Sequence, residues 1–255
     1  TVRIKNVTIV EVMPAFWVPV MGNGEEEILE HARRAAEARP DLLEWRVDSF
    51  AQALDPSAVC DVLGKIRKAA GPLPVLFTFR SAQEGGQKPA APEEYARICL
   101  AAAASGSADL IDVEAQMEHL DAAGLTEKLH EEGCAVIASR HFFHGTPSRE
   151  DMGEVFQALE ASGADILKLA VMPETRRDVL RLLDITQEMI TASERPVVTM
   201  SMGVLGAVTR LSGETFGSCI TYASVGQPSA PGQFPIEEIR MIQTILHNRI
   251  LSKRF

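Results

Sequence analysis

The chain lacks paired cysteines, an excess of basic residues and a long apolar run. Its four cysteines are widely scattered without a CxxC pair, so their spacing indicates neither a zinc site nor a disulfide framework. Lysine and arginine total 25 against 35 aspartates and glutamates, for a formal net charge of −10. This balance argues against nucleic acid and against an anionic membrane surface as partners, because both bind basic faces. A small anionic substrate stays compatible with the charge if arginines cluster locally.

Two further absences concern targeting and nucleotide binding. No apolar run approaches the ~20 residues that span a bilayer, and the opening TVRIKNVTIVEV alternates polar and apolar residues, unlike a signal peptide. No Walker A sequence occurs, and the glycines of MGNG at 21–24 are followed by Glu27 where a dinucleotide fingerprint needs its third glycine. We therefore expect a protein of the reducing cytoplasm with no membrane partner.

Short β-rich apolar runs alternate with helical patterns along the chain. Eight such runs occur, at 15–21, 42–48, 74–80, 110–115, 135–142, 166–171, 196–202 and 219–224. Eight βα units in a chain of this length are typical of a closed (β/α)₈ barrel of the α/β class, and an open doubly wound sheet is the alternative. Residues 1–12 predict an N-terminal β-hairpin that closes the bottom of the barrel. Since no Ser/Gly linker divides the chain, we expect residues 1–255 to form one domain.

Charged side chains recur toward the ends of these runs. Because side chains alternate along a strand, Glu44 and Arg46 share one face. Arg80 lies at the end of the third run, and His141 lies next to the end of the fifth. Charged residues do not fill a barrel interior, and active sites of barrels are built at the C-terminal ends of the strands. The pattern therefore predicts one charged mouth.

Lys168 is the most informative of these residues, because it lies inside the apolar run ILKLAV. Burial disfavours the ammonium form and lowers the pKa of a lysine, which makes its amine a nucleophile that can attack a carbonyl and form an imine. The alternative is a structural ion pair with Asp112 or Glu114. The sequence leaves both interpretations open.

Three other residues suit chemistry beside an imine. His141 ends a strand, where a histidine can move protons near neutral pH, although a lone histidine is usually a satisfied core residue. Glu84 lies on the loop that follows Arg80, where it can orient His141. Arg210 can hold a carboxylate, but on spacing alone a solvated helix surface is the stronger interpretation. His141 and His144 have HxxH spacing without an evident third ligand, so we expect no metal.

The segment SVGQPSAPGQFP at 224–235 is rich in Gly, Pro and Ser and follows the eighth run. Its composition and position predict a mobile lid over the barrel mouth. An ordinary surface turn is the alternative.

Six of these strings together resemble the type I 3-dehydroquinate dehydratase family across nearly the whole chain: LLEWRVD, TFRSAQEGG, SRH, GADILKLAVMP, TMSMG and SAPGQ. The resemblance implies a (β/α)₈ barrel, usually a homodimer, that removes water from 3-dehydroquinate to give 3-dehydroshikimate in the shikimate pathway. It implies a covalent imine and neither a metal nor a cofactor. The departures are Phe142 after the histidine and VGQP before SAPGQ.

The resemblance also implies roles for individual residues. Lys168 matches the imine-forming lysine, His141 the general acid and base, and Glu84 the partner of that histidine. The expected substrate-binding residues are Glu44, Arg46, Arg80, Arg210, Ser229 and Gln233, with Arg210 on the carboxylate and the last two in the lid. Two alternatives remain at this point, a class I Schiff-base aldolase and a binding protein that kept the barrel without the chemistry.

Overall fold

A computed structural model describes residues 1–5, 7–9 and 13–252 of the protein. It contains eight parallel strands in a curved sheet. Each of the eight predicted runs contains one of these strands. Their bounds are β3 (Ala15–Val20), β4 (Leu42–Arg46), β5 (Val75–Thr78), β6 (Leu110–Glu114), β7 (Ala135–Phe142), β8 (Ile166–Val171), β9 (Val197–Ser201) and β10 (Ile220–Ser224).

Helices follow the strands and surround the sheet. Those between the strands are α1 (Glu25–Glu37), α2 (Pro56–Ala70), α3 (Pro92–Ala104), α4 (Ala122–Glu131), α5 (Arg149–Ala161), α6 (Arg176–Ala192), and the short α7 (Gly203–Gly206), α8 (Val208–Leu211) and α9 (Gly213–Phe216); α10 (Ile236–Ser252) comes last. Two 3₁₀ turns occupy Val47–Ser49 and Ala82–Glu84. None of the described helices is long and apolar enough to cross a membrane.

The strands close into a ring. Neighbours along the chain from β3 to β9 pair in parallel, and β10 returns to pair with β3, with Thr221 opposite Phe16. At the seam between β9 and β10, Cys219 donates its N–H to the Val197 carbonyl at 3.0 Å, and the Ser218 hydroxyl bridges both backbone groups of Thr199. The first strand therefore lies beside the last, which confirms the predicted barrel. The open doubly wound sheet is wrong.

A two-stranded antiparallel hairpin covers the N-terminal end of the barrel. It consists of β1 (Val2–Ile4) and β2 (Val7–Ile9). Ile4 and Ile9 are buried in one cluster with residues at the starts of the barrel strands, among them Leu42 and Ile166. Predicted positions 6 and 10–12 of the hairpin lie outside the described residues. Because this end is covered, the open mouth is at the C-terminal ends of the strands.

The helix α2 forms because its apolar residues recur with helical spacing and its first turn is capped. In α2, Asp55 accepts the N–H of Ser57 at 2.9 Å and Pro56 occupies the first position, where its missing N–H has no cost. Val59 and Ile66 are among the residues that this helix buries against the outside of the barrel. With the outer faces of the strands occupied in this way, polar side chains at the strand ends face the mouth.

One further strand, β11 (Phe234–Pro235), belongs to the segment after β10. It pairs in parallel with β10, with Ala223 opposite Phe234. The pairing holds the end of segment 224–235 against the barrel rim.

Candidate active site

All nine site residues predicted from the sequence line one cavity at the C-terminal end of the barrel. The complete lining is Glu44, Arg46, Arg80, Glu84, Gly85, His141, Phe143, Lys168, Ala170, Met200, Met202, Arg210, Tyr222, Ser229, Ala230 and Gln233. The barrel thus brings together side chains that are separated by up to 189 positions in the sequence, from Glu44 to Gln233.

Lys168 projects from β8 into this cavity and is 4% exposed. Its Nζ lies 3.3 Å from Oδ2 of Asp112 and 3.0 Å from the hydroxyl oxygen of Tyr222. Burial lowers the pKa of Lys168, and this effect outweighs the opposing attraction of Asp112. The ion pair with Asp112 that the sequence left open is therefore present. The lowered pKa nevertheless makes the neutral amine easier to reach than in an exposed lysine. Such an amine is the nucleophile that carbonyl chemistry needs.

Asp112 has Arg80 as a second cationic partner beside Lys168. Its Oδ1 accepts from Arg80 Nη2 at 2.8 Å and from the Ser139 hydroxyl at 2.6 Å. Burial works against its ionised form, but Arg80 first and Lys168 second hold the pKa of Asp112 below its ordinary value. Arg80 also donates to Glu114 at 2.9 Å. Arg80 thus pairs with two buried carboxylates, and Lys168 is the second cation beside Asp112.

His141, on the strand β7 next to the one that carries Lys168, forms a pair with Glu84 in the same cavity. Glu84 Oε2 lies 2.9 Å from His141 Nδ1 and accepts the backbone N–H of the same residue at 3.0 Å. Arg140 donates to Oε1 at 2.8 Å. Since an ionised carboxylate only accepts hydrogen bonds, Nδ1 carries the proton and Nε2 has a free lone pair.

The electrostatics of this pair favour a neutral imidazole. Burial and the nearby cations Arg80 and Lys168 lower the pKa of His141 well below its ordinary value. Burial and the Glu114 carboxylate raise the pKa of Glu84 to about 7 against the opposing arginines. At and above neutral pH the pair is therefore a neutral histidine held by a carboxylate, which is the state of a general base.

Arg210 is buried without an anionic partner among the described residues. It follows β9 on α8 and is 2% exposed, so the solvated-surface interpretation is wrong. Within the described part of the chain, its guanidinium hydrogen-bonds only to the Met200 sulfur at 3.7 Å and the Pro231 carbonyl at 3.4 Å, and its Nε has no partner. Burial lowers the pKa of Arg210 to about 10. A buried, unmatched cation facing a cavity is a site for an anionic group of a ligand.

Glu44 and Arg46 lie at the end of β4 on the opposite wall. Glu44 accepts from the Thr78 hydroxyl at 2.9 Å, and Arg46 makes a two-pronged contact with Asp48 at 2.8 and 2.9 Å. Both side chains are fixed by the protein and keep polar atoms at the cavity wall. They can orient hydroxyl groups of a ligand.

Segment 224–235 lies across the cavity. The Ser229 N–H and the Gln233 side-chain oxygen are 2.9 Å apart, and the Gln233 amide donates to the Ser229 hydroxyl at 3.0 Å. Gly203 donates its N–H to the Pro231 carbonyl at 3.1 Å, which fastens the segment to the loop after β9. At Gly232, φ is +78° and an added Cβ would lie 2.4 Å from the Gly203 carbonyl oxygen. Only glycine fits this approach.

Two polar residues that contact the predicted catalytic groups were not predicted, Tyr222 and Arg140. Tyr222 lies on the same face of β10 as Ile220 and Ser224, and the alternation rule could have placed it in the mouth. Arg140 precedes His141 and points to Glu84, a contact that strand alternation does not indicate. Met200 and Met202 also line the cavity. Among residues 1–5, 7–9 and 13–252, no cluster of three or more His, Cys, Asp or Glu side chains could hold a metal ion.

Comparisons with known proteins place the chain in one family. Residues 16–250 match the family model of type I 3-dehydroquinase. The 3-dehydroquinate dehydratase of Klebsiella pneumoniae subsp. pneumoniae is 42% identical over 96% of this chain and 98% of the relative; that of Listeria monocytogenes is 39% identical over 97% and 98%.

Solved structures give the same result. The crystal structure of 3-dehydroquinate dehydratase from Geobacillus kaustophilus HTA426 superposes with a TM-score of 0.93 at 39% identity, covering 97% of this chain and 96% of that one. The type I enzyme of Clostridium difficile, crystallised with covalently modified comenic acid, superposes with a TM-score of 0.92 at 37% identity over 97% and 98%. The chain therefore belongs to the type I 3-dehydroquinase family.

Proposed function

We propose that this protein removes water from 3-dehydroquinate to give 3-dehydroshikimate through an imine on Lys168. The observation that carries the proposal is the presence, in one cavity, of a buried amine with a lowered pKa and a buried arginine that has no counter-ion among residues 1–5, 7–9 and 13–252. A substrate with a ketone and a carboxylate matches both groups. The similar proteins of Klebsiella pneumoniae and Listeria monocytogenes are 3-dehydroquinate dehydratases.

The first step is attack of the neutral Lys168 amine on the ketone. The nitrogen lone pair forms the C–N bond. The carbonyl oxygen then takes up two protons, one from the nitrogen and one from solvent, and leaves as water, so that a protonated imine remains. The iminium then acts as an electron sink, because it accepts the electron pair that is released when a proton leaves the adjacent carbon. This lowers the basicity that the proton acceptor needs.

His141 is the proton acceptor and donor of the elimination. Its Nε2 takes the proton from the carbon beside the iminium, and the resulting imidazolium gives that proton to the departing hydroxyl, so that water leaves and a C=C bond forms. Glu84 holds the Nδ1 proton and stabilises the imidazolium between the two transfers. Hydrolysis of the product imine regenerates the Lys168 amine.

The remaining predicted residues bind the substrate. Arg210 receives the carboxylate in a charge-assisted pair, Glu44, Arg46 and Arg80 orient hydroxyls, and the lid residues Ser229 and Gln233 cover the ligand. The hydrogen bond from the Gly203 N–H to the Pro231 carbonyl, which joins the segment to the loop after β9, supports a closed lid that must open for entry and release. No metal or cofactor is needed for this sequence of steps.

The test is a turnover assay that follows the ultraviolet absorbance of the conjugated product. We expect the wild type to convert 3-dehydroquinate and Lys168→Ala to lose the activity completely. Lys68→Ala, on an exposed helix surface, is the matched lysine control and should retain it. Turnover by Lys168→Ala at the wild-type rate would refute the covalent mechanism. Release of a smaller carbonyl fragment would instead indicate aldol cleavage.

We further propose a homodimer of single-domain barrels that works in the cytoplasm. Support for self-association comes from exposed apolar side chains on α7, α8 and α10, where α8 packs against α10. Val204 is 91% exposed, Met241 61% and Ile245 56%. Large exposed apolar side chains on adjoining helices are typical of an interface. Light scattering should give a dimer mass that Met241→Lys with Ile245→Lys reduces to that of a monomer, and a monomeric wild type would contradict the proposal.

A further inference from the structure

The hydroxyl of Tyr222 lies against the reacting nitrogen. Its oxygen is 3.0 Å from Lys168 Nζ, and the centroid of its ring is 4.6 Å from the same atom. Tyr222 is 4% exposed, and its ring packs edge-on against Trp17 with centroids 5.9 Å apart. Among the described residues, Lys168 is the one hydrogen-bond partner of this hydroxyl. The phenol is thus fixed beside Nζ, and the steps described above do not use it.

The geometry around Nζ determines where its lone pair points. A neutral amine has two N–H bonds and one lone pair, arranged tetrahedrally with the carbon that carries them. Asp112 Oδ2 at 3.3 Å and Tyr222 Oη at 3.0 Å provide two acceptors for the two N–H bonds. With both N–H bonds directed at the protein, the lone pair occupies the remaining direction. Since Lys168 lines the cavity, that direction is available to a bound ketone.

We propose that Tyr222 is a catalytic residue of imine formation, whose hydroxyl accepts one N–H of Lys168 and thereby aims the nitrogen lone pair at the substrate carbonyl. The inference rests on the proposed function, because it concerns the formation of the same imine. It assigns the tyrosine to the carbonyl addition and not to the later elimination, which depends on His141.

The same hydroxyl can move the proton that this step transfers. When the C–N bond forms, the nitrogen becomes a positively charged ammonium group and the former carbonyl oxygen becomes an alkoxide. Nζ gives a proton to Tyr222 Oη while the phenol gives its own proton to the alkoxide, so the tyrosine ends neutral and the carbinolamine is uncharged. Burial raises the pKa of Tyr222 well above its ordinary value, which keeps the phenol protonated between turnovers.

The hydroxyl and the ring of Tyr222 are separable by substitution. Tyr222→Phe keeps the ring contacts with Trp17 and Nζ and removes only the oxygen. Tyr222→Leu removes both. The chain's second tyrosine provides a matched control, because the buried Tyr95 hydroxyl also makes 3.0 Å hydrogen bonds, to the Asp112 carbonyl and from the Glu114 N–H. Tyr95→Phe should lower the urea midpoint without affecting imine formation.

The experiment mixes enzyme with 3-dehydroquinate, quenches at short times with borohydride and measures the adduct on Lys168 by mass. In Tyr222→Phe we expect adduct formation to slow by about tenfold or more, since a misdirected nucleophile loses orientation. The rate of elimination from the formed imine, followed by product absorbance in a single turnover, should stay at the wild-type value. Tyr222→Leu should show the same defect in adduct formation.

Three outcomes would overturn the inference. Adduct formation at the wild-type rate in Tyr222→Phe would show that the hydroxyl is not used, and a defect confined to Tyr222→Leu would assign the effect to the ring. Equal slowing of adduct formation and elimination in Tyr222→Phe would indicate a structural role. Failure of the proposed function is distinguishable from all three, because the wild type itself would then form no adduct.

Discussion

Replacing Arg210 with methionine should make the unliganded protein more stable and the enzyme much weaker. Burial lowers the pKa of Arg210 from its ordinary value to about 10. At ~1.4 kcal/mol per pKa unit, the charged guanidinium is disfavoured in the folded protein by about 3 kcal/mol relative to the unfolded chain. Methionine has similar length, no charge, and can pack against Met200. Because the lost contacts to Met200 and Pro231 are long, we expect the free energy of unfolding to increase by about 1–2 kcal/mol.

This increase in the free energy of unfolding should be the same at every pH between 6 and 9. Throughout this range the pH is below the folded-state pKa of Arg210, so the guanidinium is charged in both the folded and unfolded states and the full cost is present. The cost would decrease only as the pH rises through about 10. Urea unfolding without ligand at three pH values measures this directly. Arg177→Met, at an exposed position on α6, is the control and should leave the urea midpoint unchanged.

Catalysis should change in the opposite direction. Loss of a charge-assisted pair with the substrate carboxylate costs about 3–4 kcal/mol, which lowers kcat/KM about 10²–10³-fold, mostly through KM. A ligand that stabilises the wild type against urea should stabilise Arg210→Met far less. The reasoning is refuted if Arg210→Met is less stable than the wild type by more than about 1 kcal/mol, or if its kcat/KM stays within about threefold.

The remaining predictions concern the acid–base pair and the lid. His141→Ala should still form an imine but lose turnover by about 10²–10⁴-fold in the absorbance assay, and full turnover would exclude its acid–base role. The pKa of about 7 at Glu84 in the unliganded protein predicts that wild-type kcat/KM falls as the pH drops below 7, where the carboxylate takes up a proton. Glu84→Gln should lower kcat about 10–100-fold and abolish this acid limb, and a limb that persists near pH 7 would assign it to another group. Gly232→Ala should raise KM by about tenfold or more, because its Cβ would meet the Gly203 carbonyl. Gly226→Ala, with φ of +79° and open space around its Cβ, has the same backbone strain without the collision and should leave KM unchanged.

The strands and the barrel were predictable because they depend on local pattern and counting. Eight β-rich runs separated by helical segments specify eight parallel strands, and a single buried lysine inside ILKLAV indicates the strand that carries the chemistry. The C-terminal ends of parallel strands necessarily meet at one mouth. The gathering of Glu44, His141 and Lys168 around a cavity follows from that topology.

The pairings within the mouth were not predictable, because they depend on strand tilt and side-chain reach. Alternation places Asp112 and Glu114 on one face equally, yet Asp112 contacts Lys168 and Glu114 contacts Arg80. The burial of Arg210 depends on three short helices after β9, which follow no strong helical periodicity. Its spacing alone suggested a solvated surface position.

The resemblance to the family assigned to individual residues specific roles that the geometry of the site alone does not determine. The structure independently places Glu84 against His141 Nδ1 and leaves Arg210 without an anionic partner among the described residues. Tyr222 lies outside the roles that the resemblance implied, and its contact with Nζ is visible only in three dimensions. The contribution of this tyrosine is the part of the site that the sequence motifs did not indicate.

Borohydride reduction in the presence of 3-dehydroquinate, followed by intact mass and peptide mapping, tests the central claim most directly. The account predicts one ligand-derived adduct per chain, confined to the peptide that contains Lys168 and absent from Lys168→Ala. An active wild type that yields no reduced adduct, or one that carries the adduct on a different lysine, would contradict it.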